Sequence, residues 1–150
     1  MTEDKIDTLD RRGGTAHVIG SMLTERKQLL RLLLEASEMK PENSEDLDRE
    51  LLNEFCQVLV DYIAAGHFGL YERIVEGTER RRSVADLAVK LYPQIEETTQ
   101  VTLAFNEKYD ADRSDIDVSQ LHRELSELGE QITNRIEYED QIIQMLSEPK

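Results

Sequence analysis

Few side chains in this sequence are suited to covalent or metal chemistry: His17, His67 and His122, and a single cysteine, Cys56. Helical periodicity assigns the histidines to three different predicted helices. A carboxylate-bridged di-iron centre in a helical bundle is built from Glu-x-x-His pairs, and no histidine here has a glutamate three residues before it. An oxygen-binding centre of the haemerythrin type needs more than three histidines. His67 has three readings: a metal ligand, a structural hydrogen bond to Glu139 or Asp140 if the bundle register brings them together, or the exposed histidine of a phosphotransfer bundle. No lysine stands three or four residues from it to steady a phosphoryl group. Cys56 has no charged neighbour on its own face and reads as a small buried hydrophobe rather than a nucleophile. Asp110, Asp112 and Asp115 have the composition of a calcium loop without its central glycine or its terminal glutamate. Zinc-spaced cysteines and glycine-rich phosphate loops are absent from the sequence. The expectation is no catalytic centre, no required metal and no cofactor, with a histidine phosphotransfer bundle or a metal-binding helical bundle as the alternatives.

Positioning any surface on this chain falls to helices. The 150 residues hold seven glycines and three prolines, little turn material, and 39% hydrophobic residues, enough for long helices that each bury one stripe. That length suits one domain, residues 1–150, with its own core. The net charge is -14. So acidic a chain is a poor binder of nucleic acid, which demands a basic footprint, and of anionic membranes, but it attracts basic protein partners. The apolar run from Leu29 to Leu34 is interrupted by Arg31, so neither a membrane span nor a signal peptide is expected. A lone cysteine suits a reducing cytoplasm.

Residues 1–14 are expected to be flexible or a short extra helix, ended by Gly13 and Gly14, with Thr15 capping the next element. Val18, Ile19, Met22, Leu23, Leu29, Leu30 and Leu33 then predict a first helix over 16–38. After a loop at Pro41, capped by Asn43 or Ser44, a long second helix is predicted over 45–79, with the basic run 80–82 after it. Ser83 and Asp86 form a capping-box variant opening a third helix over 84–109, kinked where Pro93 removes an intrahelical bond. Ser114 to Asp117 opens a fourth over 115–146, with Val118, Leu121, Leu125, Leu128, Ile132, Ile136, Ile143 and Leu146 as its stripe. Short connections make neighbours antiparallel. The predicted fold is all-α, an antiparallel up-down four-helix bundle, and a monomer, because all four stripes are consumed internally.

The second helix organises the rest. Leu51, Phe55, Val58, Leu59, Tyr62, Gly66 and Leu70 recur by threes and fours on its inner side. On an ideal helix Asp61, Ala65, Phe68 and Glu72 fall on an opposite stripe, setting an aromatic ring between two carboxylates where water is expected. Gly66 suits close helix approach, and Gly69 leaves room for something outside.

The same stretch carries a resemblance. Phe55, Cys56 and Gln57, then Leu59 to Tyr62, then Ala65, Gly66, His67 and Phe68, closed by Tyr71 and Glu72, resemble the Rsd/AlgQ family of bacterial anti-sigma factors. The likeness extends to the surroundings of Arg26, to Tyr92 through Glu96, to Leu103 through Asn106, and to Leu128 through Glu130, then Arg135, Glu139 and Asp140. Glu54 departs from the family, which usually has Asp before Phe-Cys. The resemblance implies a four-helix bundle that binds the primary sigma factor, mainly its C-terminal domain, which recognises the promoter -35 element. Sequestration would favour alternative sigma factors as growth slows toward stationary phase. With the outward stripe, it makes Asp61, Ala65, Phe68 and Glu72 the expected contacts, and Arg26, Arg31, Glu139 and Asp140 second-rank ones. Phe55, Tyr62, Gly66, His67 and Tyr71 are expected to hold the motif together.

Overall fold

Apolar residues spaced by threes and fours are realised as four helical elements in the computed structural model, which describes residues 2–75, 82–109 and 116–147. Helix α1 spans Thr2–Ser37, and a 3₁₀ turn, Ser44–Asp46, comes after it. Helix α2 begins at Arg49–Ala64, widens without interruption into a π-helical stretch, Ala65–Tyr71, and closes with an α-helical turn, Glu72–Val75. Helices α3, Arg82–Lys108, and α4, Leu121–Ser147, complete the chain. All regular structure among the described residues is helical. None of these helices is long and apolar enough to cross a membrane.

The starts of the helices differ from expectation. Gly13, Gly14 and Thr15 lie inside α1 rather than ending one segment and capping another. A glycine costs a helix about 1 kcal/mol relative to alanine, which a 36-residue helix can carry. Asn43 caps the 3₁₀ turn, accepting from the Glu45 and Asp46 amides at 2.9 and 3.1 Å. The cap of α2 is Asp48, which accepts from the Leu51 amide at 3.0 Å. Ser83 is already within α3. Before α4, Asp117 accepts from the Ser119 amide at 3.0 Å and Ile116 is buried, so the chain turns there and becomes helical only at Leu121. The aspartate run 110–115, and Arg80 and Arg81 of the basic run, fall outside the described residues.

The inner face of α1 also differs. Met22, Leu29, Leu32 and Ala36 are buried, whereas Leu23 and Leu30, expected inside, are exposed along with Leu34. Among five leucines in six positions, periodicity alone cannot select a face. In α2 the core takes Leu52, Phe55, Cys56, Leu59, Tyr62 and Ile63, a stripe turned slightly from Leu51 and Val58. Phe55 meets Phe105 of α3 edge-on at 6.1 Å, and Phe105 packs on Tyr109 at 4.7 Å. Pro93 sits inside α3, whose helical run continues through it.

Candidate functional site

Helix α4 continues its core stripe from Leu121, Leu125, Leu128 and Ile132 not to Ile136 but to Arg135, Glu139 and Ile142. Both charged side chains are essentially fully buried. A buried carboxylate is tolerated only when paired and hydrogen-bonded, and Glu139 is both. Its Oε1 accepts from the Tyr62 hydroxyl of α2, and its Oε2 accepts from Arg135 Nε at 3.1 Å. Arg135 reaches α3, donating to the Thr99 and Thr98 hydroxyls at 2.7 and 3.2 Å. Arg26 of α1 donates to the Tyr62 hydroxyl at 3.0 Å and to Asp140 at 2.6 Å, with a further nitrogen 3.6 Å from Glu139. One polar cluster thus ties all four helices together.

Burial pushes the Glu139 carboxyl above its ordinary range, against the pull of Arg135, Tyr62 and Arg26. It also raises the Tyr62 hydroxyl, with the Glu139 charge acting the same way. Burial opposes the charge of Arg26, but Tyr62 and Asp140 outweigh it and hold its protonation. The cluster also explains Gly66: a Cβ there would lie 2.8 Å from Glu139 Oε2. Gly69 serves a second close approach, since its Cβ would lie 2.7 Å from Val18 of α1. It faces a neighbouring helix rather than leaving room outside.

The π-helical stretch has an outer side too. In a π-helix each bond spans one residue more than in an α-helix, so residues after Ala65 advance out of phase with those before. His67, Phe68, Tyr71 and Glu72 of α2 face Val89, Tyr92 and Pro93 of α3 across a groove of about 420 Å³. Tyr71 and Tyr92 meet across it at 6.3 Å. Phe68 is 63% exposed and Val89 66%, large apolar surface to leave in water.

The residues expected to form one face therefore divide. Phe68 and Glu72 line the groove against α3. Asp61 is exposed, accepts from Gln57 at 3.1 Å, and lies toward α1, where burial and then its charge raise the Glu25 carboxyl. Ala65 is half-buried between them. Arg31 is exposed and paired with Glu35 at 3.5 Å. Asp140 is about half exposed, but Arg26 is largely covered and Glu139 is wholly inside. Glu139 is thereby removed from any contact surface, because its position continues the core stripe. Phe55, Tyr62, Gly66 and Tyr71, expected to hold the motif together, are buried. His67 is not: it is exposed, its ring edge-on to Phe68 at 4.9 Å, and Tyr62, Arg135 and Arg26 occupy Glu139 instead. A phosphoryl group on His67 would meet Glu72, a like charge in the same groove. Among the described residues no group of three or more His, Cys, Asp or Glu is arranged to hold a metal.

Sequence reasoning gave no site role to Arg135, Tyr92 or Val89, although the first two lie in the stretches that carry the resemblance. The first had a signal, opposite charges four residues apart in the core phase of α4; the other two depend on how α3 packs beside the π stretch.

A family model described as regulator of RNA polymerase sigma(70) subunit, Rsd/AlgQ, matches residues 1–147. The regulator of sigma D of Yersinia enterocolitica is 33% identical over 150 residues, covering 97% of this chain and 90% of that protein. The protein of the same name in Enterobacter sp. (strain 638) is 36% identical over 137 residues, 89% of this chain and 82% of its own.

Proposed function

The chain belongs to the Rsd/AlgQ family of regulators of the RNA polymerase sigma(70) subunit, a family of regulators rather than enzymes, and from that premise we propose that it is an anti-sigma factor. It sequesters the primary sigma factor in the cytoplasm, mainly by binding the C-terminal domain that reads the promoter -35 element. The observation that carries this reading is the family match over residues 1–147. Two features support a location on α2. Phe68 is an exposed aromatic ring beside Glu72, the kind of anchor that dominates interface energetics. The net charge of -14 draws a basic, DNA-reading domain and lets the surface compete with DNA for it.

Phe68 and Glu72 form the centre of the surface, Ala65 its floor, and Asp61 a rim on the α1 side. Arg31 and Asp140 widen it, and Arg26 acts through Asp140 rather than by contact. The protein presents this surface as a monomeric single domain, an up-down bundle with antiparallel neighbours bent at Pro93. The meetings of Phe55 with Phe105 and of Tyr71 with Tyr92 support that direction.

Binding of purified sigma C-terminal domain to wild type, Phe68→Ala and Asp61→Arg tests the proposal, with circular dichroism and melting to establish folding. Phe68→Ala should weaken binding by about 2 kcal/mol, roughly thirtyfold. Asp61→Arg should slow association and flatten its salt dependence. Unchanged affinity in both folded variants removes this face from the interface, and no binding by wild type, to the domain or to whole sigma factor, removes the function.

A further inference from the structure

Both walls of the groove depart from the ordinary helical hydrogen-bond pattern. One is the π-helical stretch of α2, and such stretches are frequent at functional sites. The other is α3, whose helical run continues through Pro93. Proline has no N–H, so the carbonyl of Val89, one turn back and in a residue that lines the groove, lacks its helical donor. Tyr71 is 2% exposed; its hydroxyl feels the charges of the buried Glu139 and Arg135 and has no hydrogen-bond partner among the described residues. Glu72 adds a half-buried carboxylate. Among the described residues Glu72 and the Val89 carbonyl are acceptors without side-chain donors in the groove, while Phe68 and Tyr92 supply exposed aromatic surface.

An occupant must satisfy both properties. A purely aliphatic side chain would cover the rings but desolvate the acceptors without replacing their water, which costs about 1–3 kcal/mol for each such group. An anion would meet Glu72. A second copy of the chain would bring together two surfaces of a protein with net charge -14. A guanidinium fits all of it: planar for the aromatic faces, cationic for Glu72, and with five N–H donors for several acceptors at once. A lysine ammonium is more strongly hydrated and cannot stack.

We propose that this groove is an arginine-binding slot, in which a guanidinium from the basic domain of the sigma factor lies against Phe68 and Tyr92 and donates to Glu72 and the Val89 carbonyl. The occupant rests on the function proposed above; the chemistry of the slot does not. It distinguishes the two sides of the surface, with Asp61 steering from the rim and the groove making the selective contact.

Two measurements test this. In the first, wild type, Glu72→Gln and Tyr92→Leu, each established as folded, are titrated with sigma C-terminal domain and with variants of that domain in which its arginines are replaced singly by lysine. Glu72→Gln and Tyr92→Leu should each weaken binding about tenfold or more. One arginine variant should lose as much with wild type yet lose little further with Glu72→Gln. In the second, magnetic resonance tracks wild type and Glu72→Gln titrated with a blocked arginine amide, and separately with a blocked lysine amide. The arginine compound should shift Phe68, Tyr71 and Tyr92 resonances in wild type, with less response to lysine and little in Glu72→Gln. Additive losses for every arginine variant, or equal response to the two amides, overturn the slot. Failure of wild type to bind the sigma domain while the arginine amide still titrates the groove overturns the occupant and the proposed function, and leaves the guanidinium chemistry established.

Discussion

Replacing a helical glycine by alanine usually stabilises a protein, by up to about 1 kcal/mol, and the two sites Gly20 and Gly66 should respond with opposite signs. At Gly20 a new Cβ meets nothing within 4 Å, so Gly20→Ala should gain most of that amount. At Gly66 the Cβ would stand 2.8 Å from Glu139 Oε2. A carboxylate at the end of a free side chain would swing away cheaply, but this one is held at both oxygens, by Tyr62 and by Arg135. Moving it sacrifices one charge-assisted hydrogen bond, about 1.5–3 kcal/mol, and strains a filled core by about 1 kcal/mol. Against the propensity gain, Gly66→Ala should lose about 2 kcal/mol, lowering the melting temperature by about 4–8 °C while Gly20→Ala raises it by about 2–4 °C. Urea unfolding monitored by circular dichroism measures both. The loss at Gly66 should shrink in a Glu139→Ala background, where the carboxylate is gone. If Gly66→Ala is stabilised as much as Gly20→Ala, the close approach is absent and the packing described around Glu139 is wrong.

The same cluster makes two further outcomes measurable. Arg135→Met should cost about 3–5 kcal/mol in urea unfolding, because it strands Glu139, and Arg135→Met combined with Glu139→Met should recover much of it; a single-variant loss under about 1 kcal/mol would mean the pair is not buried as described. Because burial raises the Glu139 pKa above its unfolded value of 4.5, the folded state binds the proton first. The cost of its buried charge is present above the folded pKa and relieved as pH falls through that pKa toward 4.5, so the urea midpoint of wild type should gain on that of Glu139→Gln as the pH is lowered toward 4.5; a flat difference would refute the raised pKa.

The four helices were legible because each carries a sustained apolar period, and the sequence at Pro41 and after Tyr109 is polar and unperiodic. Which face of a helix turns inward was legible only where polar residues break the degeneracy. In α4 the alternation of Leu121, Leu125, Leu128 and Ile132 with charged neighbours identified the core side, whereas the leucines of α1 fill too much of the circumference. The phase of α4 was lost at Arg135 and Glu139, since hydrophobicity treats a charge as a surface residue and cannot see that two opposite charges compensate each other. The π stretch was illegible for a different reason. Ala65 to Tyr71 shows helical spacing in sequence, and the close approaches of Val18 and Glu139 to it come from far away in the chain; Gly66 and Gly69 were their trace.

That trace connects the core to the surface. Gly66 and Gly69 let α2 be pressed from two directions, by Glu139 of α4 and by Val18 of α1. An α-helical register through this segment would carry Phe68 along the same stripe as Asp61. The wider turn breaks that stripe, leaving Asp61 toward α1 and delivering Phe68 and Glu72 to the edge of α3. The inner contacts therefore determine which residues share the groove, although none of the charged ones touches it. A variant that relaxes the π stretch should consequently alter partner recognition without removing a contacting side chain. The buried Arg135–Glu139 pair gains little stability over an apolar pair of similar volume; its physical consequence here is a register, and the register sets the surface.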